Sequence, residues 1–149
     1  MSSIVVCIDF SPLTDRILDT AKELARGMSQ PLHLLHVQPE TRAVPTAVIS
    51  NPDNKFSKNE SLTRRKEAAA LQKLCRKLTD EDIETTCAAP SGRIHETIIK
   101  VAKEQDARLV VMGSHGNGAV YHLVVGSVAE GVLNGLGLPV VLVPAQPRE

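Results

Sequence analysis

The sequence predicts a single doubly wound α/β domain, and three observations carry that prediction. Five short strand-like runs recur along the 149 residues. Most are apolar without alternation, as befits strands covered on both faces. Between them lie stretches whose apolar residues return at helical spacing. The resulting order, β-α-β-α-β-α-β-α-β, implies a parallel sheet with helices on both faces. Right-handed crossovers leave few topologies. A flavodoxin-like order is one and a Rossmann-type order is another. Both place a ligand beyond the carboxyl ends of the strands, at the point where the strand order reverses. The length suits one domain of about 100–150 residues, taken as residues 1–149.

The first run is Ile4-Val5-Val6-Cys7-Ile8, ended by Asp9. A helix is expected from Ser11-Pro12, with Ser11 as its cap and Pro12 where a missing N–H costs nothing. Its inward stripe is Ile17, Ala21, Leu24, Ala25 and Met28. The second run spans Leu32 to Val37, and Gln38 to Asn59 reads as a long loop, rich in Pro, Asn and Asp. The next helix runs from about Glu60 to Thr79, with Leu71, Leu74, Cys75 and Leu78 inward and Arg64, Arg65, Lys66 and Glu67 on a solvated face. The third strand, Ile83 to Ala88, is polar enough for a sheet edge. Ser91 is expected to open a helix striped by Ile94, Ile98, Val101 and Ala102. The fourth run, Arg108 to Met112, leads into a glycine-rich stretch. A helix near Ser127 then turns Val128, Val132, Leu133 and Leu136 inward. Pro139 to Val143 is the last strand, and Pro144 to Glu149 is expected to fray.

Composition excludes several functions. The 17 basic and 17 acidic residues cancel, whereas nucleic-acid binders displace phosphate counterions with basic patches. Three aromatics, Phe10, Phe56 and Tyr121, cannot build a base-stacking platform. No apolar stretch approaches the 18 or so residues of a membrane span. Met1-Ser2-Ser3-Ile4 lacks the basic start of a secretion signal, so the cytoplasm is the expected compartment. Cys7, Cys75 and Cys87 are odd in number and contain no C-x-x-C pair, which points to half-buried thiols rather than a disulfide framework or a zinc site.

The chemistry lies in Met112-Gly113-Ser114-His115-Gly116-Asn117-Gly118, continuing to Val125-Gly126-Ser127-Val128. No P-loop motif occurs, and the first strand-to-helix turn, Asp9-Phe10-Ser11-Pro12, has no glycine for a dinucleotide fingerprint. Gly113 and Gly116 allow left-handed backbone and a close approach. Successive N–H groups in such a loop form an anion nest. Gly126-Ser127 sits at a helix start, where unpaired N–H groups and the dipole favour phosphate. Two readings remain at this level: a phosphate held by neutral donors, or a tight turn with a Ser cap and no ligand.

Here the chain resembles the universal stress proteins, over nearly its whole length from Ile4 to Pro144. The most specific element is the pattern Gly-x2-Gly-x9-Gly-Ser/Thr, matched by Gly113, Gly116, Gly126 and Ser127 at full spacing. In that family the pattern marks the ATP-binding subgroup. The opening Val-Cys-Ile-Asp-Phe-Ser and the closing Leu-Pro-Val-Val-Leu-Val-Pro look alike too. The resemblance implies an adenine nucleotide alpha hydrolase-like domain, with a five-stranded parallel sheet in the order 3-2-1-4-5. It implies that Asp9 faces the adenosine, that Val37 meets adenine through its backbone, and that Met112 and Gly113 line the ribose side. His115, Gly116, Gly126, Ser127 and Val128 would surround the phosphates. Dimerisation through the last strand, Val140, Val141, Leu142 and Val143, is also implied. No Lys or Arg lies between Arg108 and Arg148, and position 129 is Ala. Charge compensation for ATP, or for ADP or AMP, would then come from Mg²⁺ or from the 38–59 loop.

His115 is read as a phosphate donor whose charge can change near neutral pH. His33 and His36, three apart in a strand, point to opposite faces and form no metal pair. His95 and His122 are read as surface or helix-end residues, and Tyr121 as packing over the loop. No Ser-His-Asp arrangement can be assigned to Ser127. The expected function is a cytoplasmic, homodimeric nucleotide-binding stress protein, with the nucleotide as a regulatory ligand for an unknown protein partner. The alternatives are a ligand-free dimeric interaction module, or a slow nucleotide hydrolase with His115 as its one candidate base.

Overall fold

The computed structural model describes residues 2–39, 55–114 and 125–144. Its elements are β1 (Ser3–Cys7), α1 (Thr14–Met28), β2 (Leu32–Leu35), β3 (Gln38–Pro39), α2 (Lys55–Asp80) and β4 (Thr85–Ala88), followed by β5 (Ser91–Gly92), α3 (Ile94–Glu104), β6 (Ala107–Gly113), α4 (Ser127–Leu136) and β7 (Val140–Val143). The main sheet has the order β4-β2-β1-β6-β7 and is parallel throughout. This is the expected 3-2-1-4-5 order once two short strands are set apart. Those two, β3 and β5, pair with each other, Gln38 opposite Ser91 and Pro39 opposite Gly92. The polar β4 takes the edge, as its composition requires.

Alternation along the strands divides the core into two layers. Ile4, Val6, Leu32, Leu34 and Val111 face α1 and α2, where Ile17, Ala21, Leu71 and Leu78 meet them. Val5, Leu35, Val110 and Met112 face α3 and α4, against Ile98, Ala102, Val132 and Leu136. Each fully buried aliphatic side chain contributes on the order of 2 kcal/mol, so these layers hold the fold more than helix propensity does. α3 and α4 approach closely: a Cβ added at Gly135 would lie 2.6 Å from Ile99 Cδ1, and one at Gly131 would lie 2.8 Å from His95 Cγ.

Several expectations are corrected. α1 starts at Thr14 rather than at Ser11-Pro12. Ser11 instead builds the turn before it: its Oγ accepts the Leu13 N–H (3.2 Å) and its carbonyl accepts the Thr14 N–H (3.0 Å). α2 starts at Lys55, inside the stretch read as loop. Ser91 lies in β5 and does not open a helix, because its backbone pairs with Gln38. On α4 the buried residues are Ala129, Val132 and Leu136, while Leu133 is 45% exposed. α1 also buries Leu18 beside Ile17, widening the expected stripe. Pro144 is tied down, its carbonyl accepting from Arg16 Nη1 at 2.6 Å, while residues 145–149 of the expected frayed tail lie outside the described residues.

Candidate functional site

β1 and β6 lie side by side at the centre of the sheet, and the chain leaves them in opposite directions, to β2 and to β7. The crevice between their carboxyl ends is the natural ligand position of such a fold. Ser114 follows β6, and its N–H donates to the Val143 carbonyl at 3.0 Å. The Gly126 N–H returns to the Ser114 carbonyl at 2.7 Å. That bond joins the residue after β6 to the residue before α4. It also sets the first turn of α4 beside Gly113.

Gly126 is the residue before α4, in an extended conformation (φ −70°, ψ 162°), and no side chain caps the helix. Ser127 is therefore the first helical residue and not the cap, a correction to its expected capping role. The Glu130 N–H is taken by the Gly126 carbonyl at 3.0 Å. The N–H groups of Ser127, Val128 and Ala129 have no acceptor within the helix and point out of its end. Gly113 is corrected as well: it is the last residue of β6, opposite Val143, with no left-handed φ. His115 and Gly116, together with Asn117, Gly118, Tyr121 and His122, lie outside the described residues, as do residues 40–54 of the loop expected from 38 to 59.

On the β1 side the turn is built from short-range bonds. Asp9 is exposed, and its Oδ1 accepts the Ser11 N–H at 2.9 Å. Burial, and after it the charge of the Asp9 carboxylate, pushes the Cys7 thiol up to about 12. Phe10 adopts φ 57°, a conformation that costs a bulky residue on the order of 1–2 kcal/mol. Its ring meets the His36 ring edge-on at 4.9 Å.

Val37 is buried behind this turn, in the layer containing Met112. The His36 and Gln38 N–H groups both turn to the β4 side, to the carbonyls of Ala88 (3.1 Å) and Pro90 (2.8 Å). In an extended segment the peptide between them turns the other way, so Val37 presents its N–H towards the end of β1. Asp9, Val37, Met112, Gly113, Gly126, Ser127 and Val128 therefore share the carboxyl end of the sheet.

Sequence reasoning missed one partly buried network here. His36 Nδ1 lies 2.7 Å from the Ile8 carbonyl, which can only accept, so Nδ1 carries the proton. His36 Nε2 lies 2.8 Å from Glu67 Oε2. That second bond needs another proton: either the imidazolium faces the carboxylate, or a neutral ring accepts from a protonated acid. Glu67 thus turns inward from α2, contrary to the solvated face expected for it. The Arg64 backbone carbonyl accepts from Gln38 Nε2 at 3.1 Å. Only the helical register of Glu67 relative to Leu71 and Leu74 hinted at this inward turn. His33 and His36 do face opposite layers, His33 Nδ1 lying 2.7 Å from Thr86 Oγ1. Among the described residues no three His, Cys, Asp or Glu side chains gather as a metal site, and no helix is long and apolar enough to cross a membrane.

Comparison with known proteins adds the following. Residues 1–144 match the model of the universal stress protein family. The universal stress protein YxiE of Bacillus subtilis is 25% identical over 145 residues, covering 95% of this chain and 98% of the relative. Universal stress protein A homolog 1 of Coxiella burnetii is 30% identical over 134 residues, covering 88% of each. Among solved structures, universal stress protein UspA from Lactobacillus plantarum superposes with TM-score 0.82 at 19% identity, covering 95% of this chain and 97% of that one. The universal stress protein from Archaeoglobus fulgidus in complex with dAMP has TM-score 0.60 at 22% identity and covers 95% and 97%. A universal stress protein in complex with cAMP has TM-score 0.63 at 19% identity and covers 97% and 98%.

Proposed function

The chain belongs to the universal stress protein family, and from that premise we propose that it binds an adenine nucleotide, ATP in the first instance, between the ends of β1, β2 and β6. The observation that carries this reading is the 2.7 Å bond from the Gly126 N–H to the Ser114 carbonyl. It brings a helix N-terminus with unpaired donors to the crevice where a parallel sheet binds ligands. The complexes of structural neighbours with dAMP and cAMP point the same way.

The residues fit an adenosine phosphate. Adenine lies against the aliphatic Val37 and Met112, with the Val37 peptide as its polar contact. The Asp9 carboxylate takes the ribose hydroxyls. The phosphates rest on the Ser127, Val128 and Ala129 N–H groups and the Ser127 hydroxyl, with Gly113, His115 and Gly116 closing the loop side. These donors are neutral. A triphosphate would bring Mg²⁺ on its own oxygens to balance its charge. The nucleotide acts as a regulatory ligand that shifts a partner surface between states, in a cytoplasmic homodimer paired through β7 (Val140, Val141, Leu142 and Val143). An edge strand of four apolar residues is a template for such pairing.

Calorimetric titration with Mg²⁺-ATP, ADP and AMP tests the proposal, together with mass spectrometry of small molecules released on denaturation. Saturable heat and a co-purified adenine nucleotide are expected. No heat from any of the three and no released nucleotide would overturn it.

A further inference from the structure

Cys75 and Cys87 come from different elements and meet. Cys75 lies on α2, and its Sγ donates to the Thr85 carbonyl of β4 at 3.3 Å. Cys87 is two residues further along that strand, so its side chain points to the same face as that of Thr85. Both thiols pack at the margin of the α1–α2 core layer, near enough for Cys87 to act on Cys75 electrostatically. Neither is sealed off. An open groove of about 410 Å³ is lined by Gln72, Cys75, Arg76, Thr79, Asp80 and Cys87. β4 is the sheet edge, paired in the main sheet with β2 alone. Cys7 is the contrast: it packs in the other layer, away from both.

We propose that Cys75 and Cys87 form an oxidative modification site, which a hydroperoxide converts to an intramolecular disulfide stapling α2 to the β4 edge. The groove admits so small an oxidant, and both sulfurs line it. Burial and the neighbouring Cys87 thiol push Cys75 up to about 11, which suits it to the resolving role. Cys87 makes the first attack. Its thiolate takes the terminal oxygen of the hydroperoxide, the O–O bond breaks, and the alcohol leaves with a proton. The resulting Cys87 sulfenic acid is attacked by the Cys75 sulfur. An S–S bond forms, the S–O bond breaks, and the hydroxide departs with the Cys75 proton as water. In sum, two thiols and one hydroperoxide give one disulfide, one alcohol and one water. The inference does not depend on nucleotide binding.

The test uses the reduced full chain, treated with hydrogen peroxide, quenched with iodoacetamide and mapped by mass spectrometry. A loss of about 2 Da is expected, with the tryptic peptide Leu74–Arg76 joined to Leu78–Arg93 and Cys7 alkylated. Oxidation should raise the melting temperature by several degrees, roughly as expected for a short closed loop. Cys75→Ser and Cys87→Ser should each abolish the 2 Da loss and the melting shift, whereas Cys7→Ser should keep both. The proposal is overturned by separate oxygen additions without the linked peptide. A bond to Cys7 or between chains also overturns it, and so does full alkylation of both thiols at peroxide doses that oxidise a free-thiol control.

Discussion

At the amino end of the sheet every described helix runs into its following strand through one left-handed residue. These are Ser29 (φ 53°), Asp82 (φ 64°), Asp106 (φ 51°) and Gly137 (φ 70°). The bonding repeats as well: the Gln30 N–H reaches the Ala25 carbonyl (3.1 Å) and the Ile83 N–H reaches the Leu78 carbonyl (3.1 Å). Each of these bonds satisfies a last helical carbonyl locally. At the carboxyl end the described parts of the connections share no such single device. One is a turn with Phe10 left-handed, two carry the short strands that pair with each other, and in the fourth the Gly126 N–H before α4 bonds the Ser114 carbonyl after β6. The amino end uses up its polar groups in closing helices, while the carboxyl end leaves helix N–H donors facing outward. Substitutions at the first end should therefore change stability alone. At the second they should change binding, with or without stability.

Gly126→Val is the sharpest way to break this contrast. Valine accepts the extended backbone of Gly126, so the fold should survive. Its side chain would occupy the position proposed for phosphate. Adenine-nucleotide affinity should fall about a hundredfold, or roughly 3 kcal/mol, with an almost unchanged melting temperature. Unchanged affinity in calorimetry would remove the carboxyl end from the binding function.

His36→Ala comes next, because it touches both properties. It removes the donor to the buried Ile8 carbonyl and leaves Glu67 without its partner. A loss of about 2 kcal/mol in stability is expected. A loss of several-fold in affinity should accompany it, since the Asp9–Phe10 turn loses its support on α2. Denaturant melts and titrations on one sample measure both. A stability loss with intact affinity would make the network purely structural.

Gly137→Val probes the other end. Nothing lies within 4 Å of an added Cβ, so only the left-handed backbone is penalised. The expected cost is about 1–2 kcal/mol in denaturant melts, with no change in nucleotide affinity. Coupled loss of affinity would show that the two ends are not independent.

The same contrast explains what could be read from the chain alone. The strand order and both core layers were readable because a buried parallel strand writes itself as a short apolar run and a helix as a stripe. Leu133 shows the limit of the stripe: its spacing fits, yet α4 rotates it outward because Gly131 and Gly135 bring α3 close to α4. β3 and β5 left no trace, since a two-residue ladder through Pro39 and Gly92 has no periodicity. The glycine pattern marked Gly113, Gly126 and Ser127 through their spacing, while Glu67 and His36, contributed by separate elements, form a pair that only tertiary structure brings together. His115 and Gly116 remain expectations drawn from the pattern.

His33 gives the smallest expected effect and separates the two ends by pH. It is buried in the amino half of β2, and burial lowers its pKa from the ordinary 6.5. The folded chain therefore binds this proton less readily than the unfolded chain. Where the two states differ, unfolding takes up a proton, so stability rises with pH. The contribution is full above about pH 6.5 and is lost as the pH falls towards the lowered folded value. Melting temperatures at pH 7.5 and 5.5 should differ less in His33→Val than in the parent, because valine keeps the strand apolar and cannot titrate. Nucleotide affinity should change with pH by the same factor in both proteins, since His33 lies far down β2 from the crevice. An identical melting difference in the two proteins would assign the acid sensitivity to other groups. A change in the affinity profile would join this residue to the site at the opposite end.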